Sequence, residues 1–187
     1  MTTSATRADP GAGHPFLVFL NTVTDDGKSR RHNSFETGAE VIALLEAEGF
    51  AAPPTPLTQE QMHNLLTLRE TAYAALSAVA AGRAPGREDA LYLTQALKAA
   101  YQEAELRIDT DGLTFAPSPL GRLYEQLVLS MHDLLRSREF ARLRECRRCS
   151  HLFFDKGRGV GRRWCSMARC GNRAKAETFR ARHRDAA

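Results

Sequence analysis

Apolar positions along the first three quarters of the chain recur at the three- and four-residue intervals of amphipathic helices, with short alternating stretches between them. Thr37-Gly38-Ala39-Glu40 carries a reciprocal capping pattern, and Val41, Ile42, Leu44 and Leu45 follow it before Gly49, which predicts a first helix. The pattern returns at Thr58-Gln59-Glu60-Gln61, after the linker Pro53-Pro54-Thr55-Pro56. It opens a long second helix in which Met62, Leu65, Leu66, Arg69, Tyr73, Leu76, Val79 and Ala80 keep helical spacing as far as Gly82. A third helix is predicted from Arg87, after Pro85-Gly86, burying Leu91, Leu97 and Tyr101. A fourth opens at Pro117-Ser118-Pro119, with Leu120, Leu123, Leu127, Met131, Leu134 and Leu135 on one stripe. Between these two, Leu106 and Ile108 alternate, Thr110-Asp111-Gly112 supplies a turn, and Leu113 and Phe115 alternate again, the signature of a hairpin. Phe16-Leu17-Val18-Phe19-Leu20 is a short apolar run of residues suited to a pleated surface and is predicted to be a buried strand that turns at Asp26-Gly27. Residues 1–14, small, polar and punctuated by Gly and Pro, are expected to form a disordered lead.

At 187 residues, 43% of them hydrophobic, the chain can bury one ordinary core and a small satellite module. No apolar run approaches the ~18 residues of a bilayer span, and the amino terminus lacks a secretory signal pattern, so a soluble cytoplasmic protein is expected. Charge divides the chain. Residues 1–140 hold 12 Lys+Arg against 18 Asp+Glu, a balance of −6, whereas residues 141–187 hold 14 against 4, a balance of +10. All four cysteines and the single tryptophan lie in the basic part. The expected organisation is therefore a mainly α-helical module over residues 15–140, with small β-hairpins, followed by a distinct module over residues 141–187.

The second module has the spacing Cys146-x2-Cys149, fifteen residues, Cys165-x4-Cys170. Two close pairs separated by a short insert are what four thiolates need to surround one tetrahedral Zn²⁺, and a set of four soft anionic ligands favours zinc over an iron–sulfur cluster. A disulfide framework is disfavoured for a chain without an export signal. Leu152-Phe153-Phe154-Asp155 reads as one strand, Gly157-Arg158-Gly159-Val160-Gly161 as a turn, and Arg162-Arg163-Trp164-Cys165 as the returning strand. Ser166 is placed to cap a following helix that carries Cys170 near its first turn. Knuckle, hairpin and ligand-bearing helix make a treble-clef-like four-cysteine zinc finger, stabilised by one structural zinc ion.

Arg169, Arg173, Arg180 and Arg184 fall on one stripe of an ideal helix, with Glu177 as the opposing charge, and Lys175, Arg162 and Arg163 add to the basic surface. Phe179 is expected to pack on Trp164 or Phe153. Guanidinium groups in this number suit phosphate, so duplex DNA is the expected partner, with Arg162, Arg163, Arg169, Arg173, Lys175, Arg180 and Arg184 in contact with it. The alternative is a zinc-stabilised adaptor for protein or RNA. In the first module, Asn21, Thr22 and Arg69 are candidates to line a site for a small-molecule effector, an amide, a hydroxyl and a guanidinium converging on an apolar interior. No nucleophile elbow, phosphate-cradling glycine loop or His-Glu-x-x-His arrangement is present, and an enzyme is not expected.

Trp164-Cys165-Ser166-Met167-Ala168-Arg169-Cys170-Gly171-Asn172-Arg173-Ala174-Lys175 resembles the signature of the CGNR zinc finger, named for the four residues from Cys170 to Arg173. The likeness extends through Cys146-Arg147-Arg148-Cys149, Phe153-Phe154-Asp155 and Arg162-Arg163. Phe19-Leu20-Asn21-Thr22 and Leu68-Arg69-Glu70 resemble motifs of the ABATE domain that accompanies such fingers, with Val18 and Asn33 standing where that pattern has Asp. The resemblance implies a bacterial transcriptional regulator located at the nucleoid. A homodimer is compatible with this reading, since one short finger makes few contacts and operators of this kind reward two-fold symmetry, but the sequence does not fix the oligomeric state.

Overall fold

The computed structural model describes residues 12–24, 27–110, 112–116, 122–157 and 161–184. Its elements, in chain order, are helices α1 (Pro15–Leu20), α2 (Gly38–Ala47), α3 (Gln59–Ala80) and α4 (Arg87–Glu103), strands β1 (Glu105–Asp109) and β2 (Gly112–Ala116), and helix α5 (Leu123–Arg136). A 3-10 turn (Phe140–Arg142), strands β3 (Leu143–Glu145) and β4 (Leu152–Phe154), a π-helical turn (Met167–Gly171) and helix α6 (Asn172–Arg184) complete the chain. The fold is mainly helical, as expected, with two antiparallel strand pairs, β1 with β2 and β3 with β4.

Both capping boxes form. Thr37 accepts from the Glu40 amide at the start of α2, and Thr58 from the Gln61 amide at the start of α3. Gly49 and Gly82, just past the ends of these helices, take positive φ values of 91° and 72°, the left-handed exit that a side chain disfavours. The β1–β2 hairpin pairs Leu106 with Phe115 and Ile108 with Leu113, as the alternation predicts. The fourth predicted helix begins at Leu123, with extended Arg122 at its N-cap, and not at Pro117–Pro119; residues 117–121 and the predicted turn residue Asp111 lie outside the described residues.

Several expectations differ from the fold. The run Phe16–Leu20 is a helix, not a strand. Pro15 sits at its first turn, His14 Nδ1 accepts from the Phe16 amide at 3.2 Å, and all five apolar side chains are buried. A run buried on every side carries no periodicity by which helix and strand can be told apart. Of the lead predicted to be disordered, residues 1–11 lie outside the described residues, and its last residues are packed: Ala12 is buried and its carbonyl accepts from the Phe154 amide at 3.1 Å. In α4, Leu91 faces solvent at 56% exposure while Ala96 and Ala100 make the buried contact, because small residues let α4 lie close to α3 and α5. Leu135 is likewise exposed, whereas Leu123, Leu127, Met131 and Leu134 of α5 are buried.

The core gathers α1, α3, α5 and the inner faces of α2 and α4, and it reaches past the sequence boundary at residue 140 to take in Leu143, Leu152 and Phe154. Strand β4 alternates in facing, as any strand must. Leu152 and Phe154 enter the helical core, and Phe153, between them, enters a second cluster with the four cysteines and Trp164. Asn21, at the end of α1, fixes this wall. Its side-chain Nδ2 donates to the Leu152 carbonyl at 2.9 Å and its Oδ1 accepts from the Leu152 amide at 2.9 Å, so one amide side chain takes the place of a neighbouring strand.

Replacing Asn21 by Ala leaves two buried main-chain groups of Leu152 without partners, at a cost of about 2–4 kcal/mol. In urea unfolding followed by far-ultraviolet circular dichroism and by Trp164 fluorescence, both midpoints are expected to fall together. A shift in the Trp164 signal alone would show that β4 is not shared between the two cores.

Candidate metal centre

Cys146 and Cys149 sit in the turn that joins β3 to β4, a knuckle held by the Cys146 amide donating to the His151 carbonyl at 2.9 Å. Cys165 and Cys170 arrive from the other side. Ser166 caps the π-helical turn, its hydroxyl accepting from the Arg169 amide at 3.4 Å and its carbonyl from the Cys170 and Gly171 amides. The predicted returning strand over Arg162–Cys165 does not form. β4 pairs with β3, upstream of the knuckle, and the segment before Trp164 is irregular. Asp155 organises that irregular loop: Oδ1 accepts from the Gly157 amide at 2.9 Å and Oδ2 from the Arg162 amide at 3.1 Å, and these two donors hold its carboxyl below the usual carboxylate range. The intervening residues 158–160, part of the predicted glycine-rich turn, lie outside the described residues.

All four sulfurs lie within 4.8 Å of one another and are buried. Cys149, Cys165 and Cys170 form a triangle with sides of 3.6 Å, too long for a disulfide and close to the ~3.8 Å edge of a tetrahedron whose centre is ~2.3 Å from each sulfur. The donor set, the spacing and the burial fit one structural Zn²⁺. Without a cation the quartet cannot ionise fully. Hydrogen bonds from neighbouring thiols favour the Cys146 thiolate, and hydrogen bonding to Cys146, with burial added, pushes the Cys149 and Cys165 thiols up. A dication at the centre removes that conflict.

Gly171 is fixed by close approach. A Cβ there would stand 2.5 Å from Met167 Sδ and 3.1 Å from Trp164 Cδ1. Arg148, inside the knuckle, reaches across to α6, donating from Nη2 to Glu177 Oε1 at 3.0 Å. Glu177 and, secondarily, the Cys170 sulfur hold the Arg148 charge in place. A zinc ion with four thiolates carries a net charge of −2, so Arg148 is a counter-charge at the cluster. Arg148 and Glu177 lie 29 residues apart, and only the fold brings them together.

The other predicted residues divide. Arg163, Arg173, Lys175 and Arg180 are exposed, and Arg169 is half-buried in the π turn. That turn has a wider repeat than an α-helix, so the ideal stripe through Arg169 and Arg173 does not hold across it. Arg184 ends α6, and its side chain lies outside the described residues. Arg162 is half-buried, lies 4.5 Å over the Phe153 ring and donates from Nε to the Trp164 carbonyl at 2.7 Å, so it also takes part in the finger's own packing. Phe179 does not pack on Trp164 or Phe153. It is 63% exposed, edge to face with His183 at 4.2 Å.

Asn21, Thr22 and Arg69 do converge, but their polar groups are used internally. Arg69 donates from Nη1 to the Thr22 carbonyl at 2.9 Å and hydroxyl at 3.1 Å, from Nη2 to Asn33 Oδ1 at 2.8 Å and from Nε to Glu70 at 2.7 Å. The Asn21 amide is occupied by Leu152. These residues therefore form a lock, their polar groups paired with one another and with the Leu152 main chain. Asn33 supplies the acceptor oxygen that an Asp would offer at that position.

Two further residues complete the lock, and sequence reasoning missed both. Arg30, with φ of 52°, donates to both oxygens of Glu70, to the Leu20 carbonyl at 3.0 Å and to Ser150 Oγ at 3.3 Å, beside the knuckle, and stacks 3.8 Å from the centre of Tyr73. Burial raises the Glu70 pKa, but Arg30 and Arg69 outweigh it and hold the carboxyl below its ordinary value. Since the folded value is the lower one, this stabilisation is present above the unfolded value of about 4.3 and is lost as pH falls through the folded one. Glu145, next to Cys146, accepts from Lys28, from Ser77 at 2.5 Å and from Tyr73 at 3.2 Å. Arg30 stands in a charged run that reads as solvated surface, and nothing in its spacing marks it.

A four-cysteine zinc finger built onto a helical module is the class of protein that this geometry defines. The description "ABATE: Putative stress-induced transcription regulator" matches residues 13–138, and that of the CGNR zinc finger matches residues 142–183. The chain belongs to the ABATE family and carries a CGNR zinc finger after the ABATE region. No curated protein matches it.

Elemental analysis of reduced protein is expected to find one zinc per chain. The double substitution C149S/C165S is expected to abolish zinc retention, and acidification to release the ion as protons compete for the sulfurs. Stoichiometric zinc in the double variant would place the ion elsewhere.

Proposed function

We propose that the chain is a DNA-binding transcriptional regulator in which the zinc-anchored end of the finger contacts duplex DNA. The observation that carries this reading is α6. From Asn172 to His183 none of its residues is buried, and Arg173, Lys175, Arg180 and Arg182 are exposed on it. Arg163, exposed on the segment before the π turn, extends the basic surface toward the knuckle. With zinc and four thiolates included, residues 141–187 keep a charge of about +8, against −6 for the rest. Separation of sign within one chain orients the finger toward a polyanion and the helical module away from it.

The helical module holds the finger in register through the lock around Arg30, Arg69, Asn21 and Glu145. It therefore serves as the platform that positions α6. The expected working location is the nucleoid, within the cytoplasm.

The test is binding of the full, zinc-loaded chain to random-sequence duplex DNA over a range of salt. Four or five phosphate contacts are expected to give a log–log slope of about −4, at −0.9 for each phosphate neutralised. A flat response, or equal binding by protein stripped of zinc, would remove DNA from the reading. Tighter binding to duplex RNA than to DNA would assign the finger to an RNA adaptor instead.

A further inference from the structure

Helix α6 presents three chemically different faces. With about 100° per residue, Ala174 and Ala181 fall within ~20° of each other, and these two are its half-buried positions. Glu177, held by Arg148, lies toward the same side. Phe179 and His183 lie ~140–180° away, on the face pointing outward from the protein. Arg173 and Arg180 occupy one flank between these faces, and Lys175 and Arg182 the other. The outward ridge is aromatic and the shoulders on both sides are basic.

An exposed phenylalanine needs a reason. Phe179 has 63% of its surface in water, and its edge-to-face contact with His183 at 4.2 Å steadies the ring without covering it. A helix that only lay along a phosphate backbone would need one basic flank. Two flanks with an apolar ridge between them match a groove that has a phosphate chain on each wall and base edges on its floor. The major groove of B-DNA is about 12 Å wide, and a helix with side chains is about 10–12 Å across. The A-form major groove of RNA is too narrow to admit it.

We propose that α6 enters the DNA major groove, with Arg173 and Arg180 on one backbone, Lys175 and Arg182 on the other, and the Phe179 ring against thymine C5-methyl groups on the floor. His183, with its ring against Phe179, lies where it meets neighbouring base edges. This rests on the reading of the finger as a DNA contact and adds to it a groove, an orientation and a base preference.

The test compares the full, zinc-loaded chain on an alternating dA-dT duplex of about 20 base pairs, two helical turns, and on the same duplex with dU for dT. The second duplex differs only by the missing methyl groups. The native chain is expected to bind the dT duplex about fourfold more tightly or better, the worth of one buried methyl group. Phe179→Ala is expected to erase that preference. Because the ring is exposed, the variant is expected to keep the native circular dichroism spectrum and its zinc. Arg180→Gln and Arg182→Gln, one on each flank, are each expected to reduce the salt slope by about one. Full salt-dependent binding with no preference between the duplexes leaves the DNA reading standing and overturns the groove insertion. A preference that survives in Phe179→Ala, or a salt slope that responds to one flank alone, also overturns it. No salt-dependent binding to either duplex defeats both readings.

Discussion

One three-residue strand carries the connection between two cores. Because side chains alternate across a strand, Leu152 and Phe154 are committed to the helical core while Phe153 is committed to the cysteine cluster. The strand has one β partner, β3, and on its other side Asn21 supplies from a side chain the hydrogen bonds that a second strand would give. A small metal module buries too little apolar surface to hold its shape alone. Here it borrows a wall from a larger core, and zinc fixes the far side of that wall. Position and rigidity therefore reach α6 by two routes, through the helical core and through the metal.

The legible parts of this arrangement were those set by local chemistry. Two capping boxes, the glycines at helix exits and the β1–β2 alternation are short-range signals, and each formed where the pattern put it. The cysteine spacing revealed the metal site because four ligands at one point leave little freedom in the chain between them. What could not be read was anything decided by distant partners. Phe16–Leu20 is buried on all sides and so has no period to betray its helix. The strand pairing of the finger was assigned to the wrong neighbour because β3, Leu143–Glu145, carries no motif of its own. Arg69 reads as lining a ligand site, yet whether a buried guanidinium faces a ligand or its own chain depends on partners such as Thr22 and Asn33, which lie 47 and 36 residues away.

Charge alone does not separate the finger's arginines by role. Arg148 and Arg162 belong to the finger's interior, one as a counter-charge beside the thiolates, the other laid over Phe153. Arg30 does similar work from the acidic module, tying Glu70, Leu20 and Ser150 together. Arginine suits these positions because its flat, always-charged fork meets several acceptors at fixed angles while its face rests on an aromatic ring. The same property makes exposed arginines good phosphate ligands. Burial and partners, and not residue type, separate the two uses.

Helix α6 shows why the metal must lie at its root. A helix in which no residue from Asn172 to His183 is buried has little of the packing that normally holds helices together in water. Its amino-terminal end is instead nucleated by local contacts: Cys170 is fixed by the ion, Ser166 caps the turn, and Gly171 lets Met167 and Trp164 close against the backbone. Once the first turn is paid for in this way, each further residue adds a hydrogen bond at small cost. Arg148 then clamps the second turn through Glu177. The result is a helix whose outward surface owes nothing to the protein's core and is free to be composed for a partner. That freedom is what permits a phenylalanine between rows of arginine and lysine, a combination that folding alone does not call for.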